Sequence, residues 1–327
     1  MGSLPPTFRD LIAANKRNSV LLVIVFCLFT VVVAMVLALG IAACFDPESV
    51  ANLNWGEGLR AGGIGAVIAF LVSLLGYYQG DSFVLATSGA HRIEHKDDPE
   101  LFNVVEEMSI AAGTPMPRVY LIDDPALNAF ATGRDPRHAS VAITTGLRLQ
   151  LTRDDLQGVM AHEMSHVRNF DIRLMLLMAV LVGTIVMASD YFWQLLRFSS
   201  GGRDRGGKDG KDGGGVIVLV VLVVAILLAL VSPLLAQMVQ FAVSRQREYL
   251  ADATAVELTR NPLGLANALR KIGADKNVLK SANRGTAHLF IANPIEKFQK
   301  KAATVFASHP PLEDRISRLE ALAHVRS

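Results

Sequence analysis

The sequence predicts a mostly α-helical membrane protein with about four transmembrane helices and an α+β block between them. Apolar residues make up 51% of the 327 residues, and stretches long enough to cross a bilayer recur along the chain. Segments with strand-like composition are concentrated between the second and third of these stretches. The lipid bilayer is therefore the first predicted partner of this chain.

Four apolar stretches are predicted to span the membrane, and the first two lie near the N-terminus. The third stretch is short, so a buried core helix is the alternative interpretation for it. A glycine-rich, net basic loop, typical of a flexible linker, separates the third stretch from the fourth, and its charge leaves open a hairpin that does not fully cross the bilayer. The predicted spans are residues 19–43, 61–78, 174–189 and 216–243.

Charged residues beside the first span indicate its orientation. Arg9, Lys16 and Arg17 precede the span, whereas acidic residues dominate the loop that follows it. Because basic residues favour the cytoplasmic side, the N-terminus and the block that follows the second span are expected in the cytoplasm. The chain then divides into paired spans at 1–78, a first cytoplasmic part at 79–171, a transmembrane hairpin at 172–243 and a second cytoplasmic part at 244–327.

The first cytoplasmic part has α+β character. A helix is predicted over 101–112, because its apolar residues keep helical spacing and because the helix-start signal Asp98-Pro99 comes just before it. Thr152, with Asp155 three residues later, predicts a capping box that begins another helix. Between these two helices the sequence predicts strands over 117–122, 128–133 and 140–144.

The helix that follows Thr152 carries the pattern His-Glu-Met-Ser-His at 162–166. One helical face presents both His162 and His166 to a single metal ion, because the two residues are four apart. Glu163 can then act as general base toward water that zinc activates. The pentapeptide predicts a zinc-dependent hydrolytic site. The pattern is degenerate, so this prediction needs support from other residues of the chain.

A catalytic zinc ion needs a third protein ligand and keeps a fourth position open for water. Glu248 and Asp252 are four residues apart and share a helix face. Glu248 is the predicted third ligand, and Asp252 is predicted to accept a hydrogen bond from the outer nitrogen of a ligating histidine. An exposed helix residue paired with a neighbouring arginine is the alternative interpretation of Glu248.

Two further predictions concern the peptide substrate. Asn128, Ala129 and Phe130 are predicted to form an edge strand that binds an extended peptide through its backbone. A purely structural strand or turn is the alternative for them. His309 is predicted to stabilise the oxyanion of the reaction, with Arg315 as the competing candidate and an ordinary surface salt bridge as the alternative.

Four segments stand in a specific order along the chain, and together they resemble one known family. They read Asn-Ala-Phe-Ala-Thr-Gly at 128–133, His-Glu-Met-Ser-His at 162–166, Ser-Arg-Gln-Arg-Glu-Tyr-Leu-Ala-Asp at 244–252 and Ser-His-Pro-Pro at 308–311. In this combination the chain resembles the HtpX family of bacterial membrane zinc metalloproteases over nearly its whole length. The resemblance implies a zincin-type α+β metalloprotease domain in the bacterial inner membrane, with the active site facing the cytoplasm.

The same resemblance implies a cofactor, site residues and substrates. Zn²⁺ is expected as the cofactor, with His162, His166 and Glu248 as ligands and Glu163 as catalytic base. Asp252 is expected to accept a hydrogen bond from a ligating histidine. The expected substrates are unfolded or damaged membrane proteins, handled in a stress-response pathway alongside the AAA protease FtsH.

Nucleic acid is excluded as a partner, because the formal charge is +2 and no basic stripe alternates with aromatics. A nucleotide is not expected either, since the sequence contains no P-loop.

Two other functions remain open at this point. A CaaX-type prenyl protease would share the zinc motifs, but such proteins typically have more spans enclosing a chamber. A non-catalytic membrane scaffold could keep zinc for stability alone. Such a scaffold would close the fourth zinc position and would not need Glu163, so the complete set of residues argues against it.

Overall fold

The computed structural model describes residues 13–25, 27, 28, 31, 55–181, 183, 245–280, 286–292 and 310–324. Within these ranges helices predominate, and the strands form a small mixed sheet. The predicted spans at 19–43 and 174–189 are described in part, and the predicted span at 216–243 lies outside the described residues, as does His309.

The N-terminal region contributes two helices to the described structure. Helix α1 covers 13–25, and α2 extends over Trp55–Thr87, well beyond the predicted span at 61–78. Within the described ranges, one helical stretch, Ala66–Thr87, is long and apolar enough to cross a membrane. Large apolar side chains that α2 leaves exposed include Ile64, Phe70 and Leu75.

The sheet has the strand order β1-β2-β4-β3. Strands β2 and β4 are parallel, whereas β1 pairs with β2 and β3 pairs with β4 in antiparallel fashion. Among the described strands β3 therefore forms an edge, the position that the sequence predicted for it. The strands are β1 Ala90–Arg92, β2 Arg118–Ile122, β3 Ala129–Gly133 and β4 Ala139–Thr144.

Local sequence signals fix the ends of the helices around the sheet. The Asp98 carboxylate accepts the Leu101 N–H at the start of α3, and the predicted capping box of Thr152 and Asp155 begins α5. Short 3₁₀ turns occur at Pro136–His138 and Ala287–Leu289. The remaining helices are α3 Pro99–Ala112, α4 Thr145–Gln150, α5 Arg153–Arg168, α6 at 171–181, α7 Arg245–Thr259, α8 Pro262–Ala274 and α9 Leu312–His324.

Helix α5 lies at the centre of the main core, between α3, α7, α8 and the sheet. It crosses α8 at two glycines. A Cβ atom on Gly158 would lie 2.4 Å from the Leu265 nitrogen, and one on Gly264 would lie 2.5 Å from the Asp154 carbonyl oxygen. Glycine is required at both positions for this approach, which anchors the N-terminal half of α5.

Apolar clusters cover both faces of the sheet. Ala129 and Ala131 face the main core, while Phe130 faces a second cluster formed with the end of α2, helix α6 and the segment 286–292. Every residue of β3 and β4 is therefore buried. The described part of the third predicted span, in α6, packs largely within the protein, which is the environment expected for a core helix.

Candidate metal centre

Two buried helices bring three metal-binding side chains together. Helix α5 contributes His162 and His166, and α7 contributes Glu248. One potential ligand atom from each residue lies within 4.8 Å of the others, and all three residues are buried. The Glu248 carboxylate oxygens lie 3.7 Å from the His162 Nε2 and 3.6 Å from the His166 Nε2. The predicted ligands are thus assembled at one point.

The two histidines direct the same ring atom toward this point. Their Nε2 atoms lie 3.3 Å apart, while each Nδ1 atom lies 3.0 Å from a carboxylate oxygen. A carboxylate beside Nδ1 favours the proton on that nitrogen and leaves the Nε2 lone pair for a cation. Two imidazole nitrogens and one carboxylate match the donor set of a catalytic zinc site, so the residues fit the metal.

The carboxylate behind His162 is Asp252, as the sequence predicted. Arg315 holds this carboxylate with two hydrogen bonds, of 2.9 Å from Nε and 2.7 Å from Nη2. Burial opposes ionisation of Asp252, but the Arg315 charge outweighs it and lowers the Asp252 pKa to about 2. Burial and the same guanidinium lower the pKa of His162, which favours the neutral imidazole that a metal requires.

The carboxylate behind His166 is Asp171, which the sequence analysis did not identify. Burial alone would lower the His166 pKa, but the hydrogen bond that its Nδ1–H donates to Asp171 and the Glu248 charge raise the pKa to about 9, so a metal ion that binds at Nε2 displaces a proton from this ring. Asn15 of α1 donates to the other Asp171 oxygen over 2.6 Å, and Arg247 lies 3.9 Å from that oxygen. The available sequence signal was an acidic residue five positions after the second histidine.

Glu163 is buried beside the three ligand residues. Burial, reinforced by the Glu248 charge, raises the pKa of Glu163 to about 7. The backbone N–H of Ala131 donates to its carboxylate and so connects α5 to the edge strand β3. A carboxylate poised near neutrality can accept and return a proton during hydrolysis.

The protein itself occupies part of the predicted substrate edge. The Ile291 N–H donates to the Ala129 carbonyl oxygen over 2.9 Å. The Asn128 side-chain amide donates to the Ala292 carbonyl oxygen over 2.9 Å, and its oxygen accepts the Ala292 N–H over 3.4 Å. The Phe130 ring makes an edge-to-face contact with Phe290, at 5.0 Å between centroids. A peptide that pairs with this edge must displace the segment 286–292.

Arg315 has several partners in addition to Asp252. It is fully buried, donates to the Ile291 carbonyl oxygen over 3.2 Å and lies 3.5 Å from a Glu248 carboxylate oxygen. The surface salt bridge offered as its alternative role is therefore wrong, since the contacts lie inside the metal centre. His309 lies outside the described residues, so the structure does not place it relative to Arg315.

Comparison with known proteins gives the same family as the motifs. The model of peptidase family M48 matches residues 95–323. A protease HtpX homologue of Levilactobacillus brevis is 43% identical over 318 residues, which cover 96% of this chain and 99% of that protein. Another, of Lactobacillus helveticus, is 42% identical over 316 residues, covering 95% of this chain and 98% of that protein.

A solved structure is also similar to this chain. The crystal structure of S. mikatae Ste24p is 19% identical, with a TM-score of 0.45, and the match covers 78% of this chain and 57% of that one. The family model and the HtpX homologues each match most of this chain. The chain therefore belongs to peptidase family M48 as a member of its HtpX group, and it is a membrane zinc metalloprotease.

Proposed function

We propose that His162, His166 and Glu248 bind zinc and that Glu163 is the general base of peptide-bond hydrolysis. The observation that carries this proposal is the meeting of three buried donors within 4.8 Å, with carboxylates behind both histidines. Three protein ligands leave a coordination position for water, which distinguishes a catalytic zinc site from a structural one.

Each protein group then has a defined task in the reaction. Zinc, when bound, makes water more acidic and polarises the peptide carbonyl. The Glu163 carboxylate accepts the proton that the attacking water loses and delivers it to the departing amine. Asp252, held by Arg315, keeps the His162 ring oriented through Nδ1. His309 stays a candidate for stabilising the oxyanion.

The substrate is proposed to bind along β3 as an added strand. The Ala129 carbonyl oxygen faces away from β4, and both it and the Asn128 amide already pair with backbone groups of the segment 286–292. A peptide backbone presents the same donors and acceptors, so it can replace that segment without leaving buried groups unpaired. Such binding selects extended, unfolded chains more than particular side chains.

This selectivity suits unfolded or damaged membrane proteins as the substrates. The charges beside the first span support a multi-pass inner-membrane protein whose active site faces the cytoplasm. In this arrangement residues 79–171 and 244–327 form one cytoplasmic protease domain, and 1–78 and 172–243 supply the membrane part. A role beside an FtsH-type pathway follows from the family resemblance.

Substitution of the proposed base tests the mechanism directly. Glu163→Gln preserves the size of the side chain and leaves all three ligands in place. The purified variant is expected to retain zinc but to lose cleavage of an unfolded reporter by at least about 100-fold, the lower range for a general base. The measurement pairs metal analysis with reporter cleavage in detergent.

A matched ligand variant makes this test sharper. Glu248→Ala is expected to lose zinc together with activity, because it removes one of three protein ligands. Near-native cleavage by zinc-loaded Glu163→Gln protein would refute the assignment of the base. Full zinc content in Glu248→Ala protein would refute the ligand set, and a zinc-bound but inactive wild type would support a scaffold instead.

A further inference from the structure

The N-terminal helix α1 reaches the metal centre through one buried side chain. Asn15 is only 1% exposed, although it lies more than 150 residues from its contacts in the sequence. Its Nδ2 atom donates to the Asn169 carbonyl oxygen over 2.9 Å and to the Asp171 carboxylate over 2.6 Å. The predicted first membrane span therefore begins on a helix that contacts the residue behind His166.

The chemistry of these contacts requires an amide nitrogen at this position. A carboxamide NH₂ group has two N–H bonds, and here two acceptor oxygens use both of them. The side-chain oxygen in the same place would face a carbonyl and a carboxylate with no proton between them. A buried amide without hydrogen-bond partners costs free energy. The two acceptor oxygens therefore fix the orientation of the Asn15 side chain, with its nitrogen toward Asp171.

A second contact from α1 holds the turn that precedes Asp171. This turn links α5 to α6, and Phe170 within it has a φ of 60°, in the left-handed region. A non-glycine residue in that region costs about 1–3 kcal/mol, so neighbouring contacts must hold it. The Lys16 ammonium lies 4.7 Å from the centre of the Phe170 ring, and the Arg173 guanidinium lies 5.0 Å from it.

We propose that Asn15 is a positioning residue of the metal centre, acting on His166 through Asp171. The proposal rests on the proposed role of His166 as a zinc ligand. Asp171 uses one oxygen for the His166 Nδ1 and the other for Asn15, so the amide limits rotation of the carboxylate and thereby of the imidazole. The N-terminal helix is thus part of the zinc site as well as a membrane anchor.

Zinc affinity of the full chain tests this role. Asn15→Ala removes both hydrogen bonds, and the zinc dissociation constant is expected to rise about tenfold, the lower range for loss of an outer partner. It is measured in detergent by competition with a chromogenic chelator. The visible absorption of the cobalt-loaded protein is expected to change as well, since it reports ligand geometry at the metal.

Ser19→Ala provides the matched control on the same helix. Ser19 is buried one turn after Asn15 and donates to its carbonyl oxygen over 2.8 Å, so the variant disturbs α1 without removing the amide. It is expected to leave zinc affinity unchanged. Asn15→Asp serves as a second test if the alanine variant does not fold, because it keeps the shape but places two carboxylates together.

The outcomes separate this proposal from the assignment of the ligands. An Asn15→Ala protein with wild-type zinc affinity and cobalt spectrum overturns the positioning role, even if its melting temperature falls. Equal losses of affinity in Asn15→Ala and Ser19→Ala would also overturn it, since they would indicate general loosening of α1. If Glu248→Ala protein keeps its zinc, the ligand assignment fails, whatever the Asn15 variants show.

Discussion

The two histidines of the metal centre are oriented by different kinds of partner. Asp252 behind His162 is held by Arg315, in a fully buried ionic cluster that includes Glu248. Asp171 behind His166 accepts a hydrogen bond of 2.6 Å from the neutral Asn15 amide of α1, whereas the Arg247 guanidinium is 3.9 Å away. Both carboxylates lie 3.0 Å from an Nδ1 atom, so the same contact is supported in two different ways.

We expect the two kinds of partner to differ in how much they contribute to fold stability. Ionic partners buried together depend strongly on each other, because removing one leaves an uncompensated charge inside the protein. A neutral amide can be lost at the smaller cost of its hydrogen bonds. The His162 side should therefore be critical for folding, whereas the His166 side should mainly adjust metal binding.

Arg315→Met gives the largest expected effect. The variant fills a similar volume but leaves Asp252 and Glu248 without their buried cation. A loss of about 3–5 kcal/mol is expected from breaking such a pair, and the melting temperature in detergent should fall accordingly even without zinc. Arg315→Lys should recover only part of the loss, because lysine keeps the charge but not the two-pronged hydrogen bonding. Wild-type stability in Arg315→Met would contradict the ionic account.

Matched substitutions of the two carboxylates compare the sides directly. Asp252→Asn and Asp171→Asn should each weaken zinc binding about 10–100-fold, as expected for partners behind a ligating histidine. Only Asp252→Asn should also lower the melting temperature of the metal-free protein strongly, since it removes the carboxylate charge that balances the buried Arg315. Chelator competition and thermal melting measure the two quantities.

The exposed Asp123 supplies a control for the change from carboxylate to amide. Its side chain is 78% exposed, so Asp123→Asn should alter neither quantity. Equal losses of metal-free stability in Asp252→Asn and Asp171→Asn would show that the two sides do not differ as proposed.

The parts of the site that could be predicted from sequence depend on local spacing. His162 with His166, and Glu248 with Asp252, each repeat after four residues, so the helical period alone places each pair on one face. The capping box at Thr152 and the helix signal at Asp98 are also local, and both are present as predicted.

The outer support of the site could not be predicted, because its partners are distant in sequence. Arg315 and Asp252 are 63 residues apart, and Asn15 and Asp171 are 156 apart. The contact of Asp171 with His166 also follows a left-handed turn at Phe170, which is not a residue type that signals such a turn. The sequence signal for Asn15 was limited to its position as a polar residue just before the first apolar stretch.

Some elements of the fold left too weak a signal in the sequence. Strand β1 has three residues, too few to show alternation, and α4 has six. Strands β3 and β4 lack the polar–apolar alternation of a half-exposed strand, because both of their faces are buried, yet the sequence still predicted both of them. The segment 286–292 offered no chemical motif, and its importance comes from where it packs.

Substitution in the segment 286–292 gives the last and smallest expected effect. The segment contacts Arg315, so the effect concerns only the surroundings of His162. Ile291 accepts a hydrogen bond from Arg315, and Phe290 packs on Phe130. Phe290→Leu should weaken the hold of the segment by about 0.5–1.5 kcal/mol. Since about 1.4 kcal/mol corresponds to a factor of ten, cleavage of an unfolded peptide should rise about two- to tenfold in kcat/KM. Zinc affinity should stay unchanged, because no ligand or carboxylate partner is altered.

Ile122→Val is the control for this last prediction. Ile122 is buried in the same apolar cluster but belongs to β2, so the variant loosens the cluster without acting on the segment 286–292. Both variants should lower the melting temperature slightly, and only Phe290→Leu should speed cleavage. If Phe290→Leu protein cleaves the peptide no faster, displacement of the segment does not limit access to the β3 edge. A parallel rise in both variants would instead mean that general softening of the cluster admits the substrate.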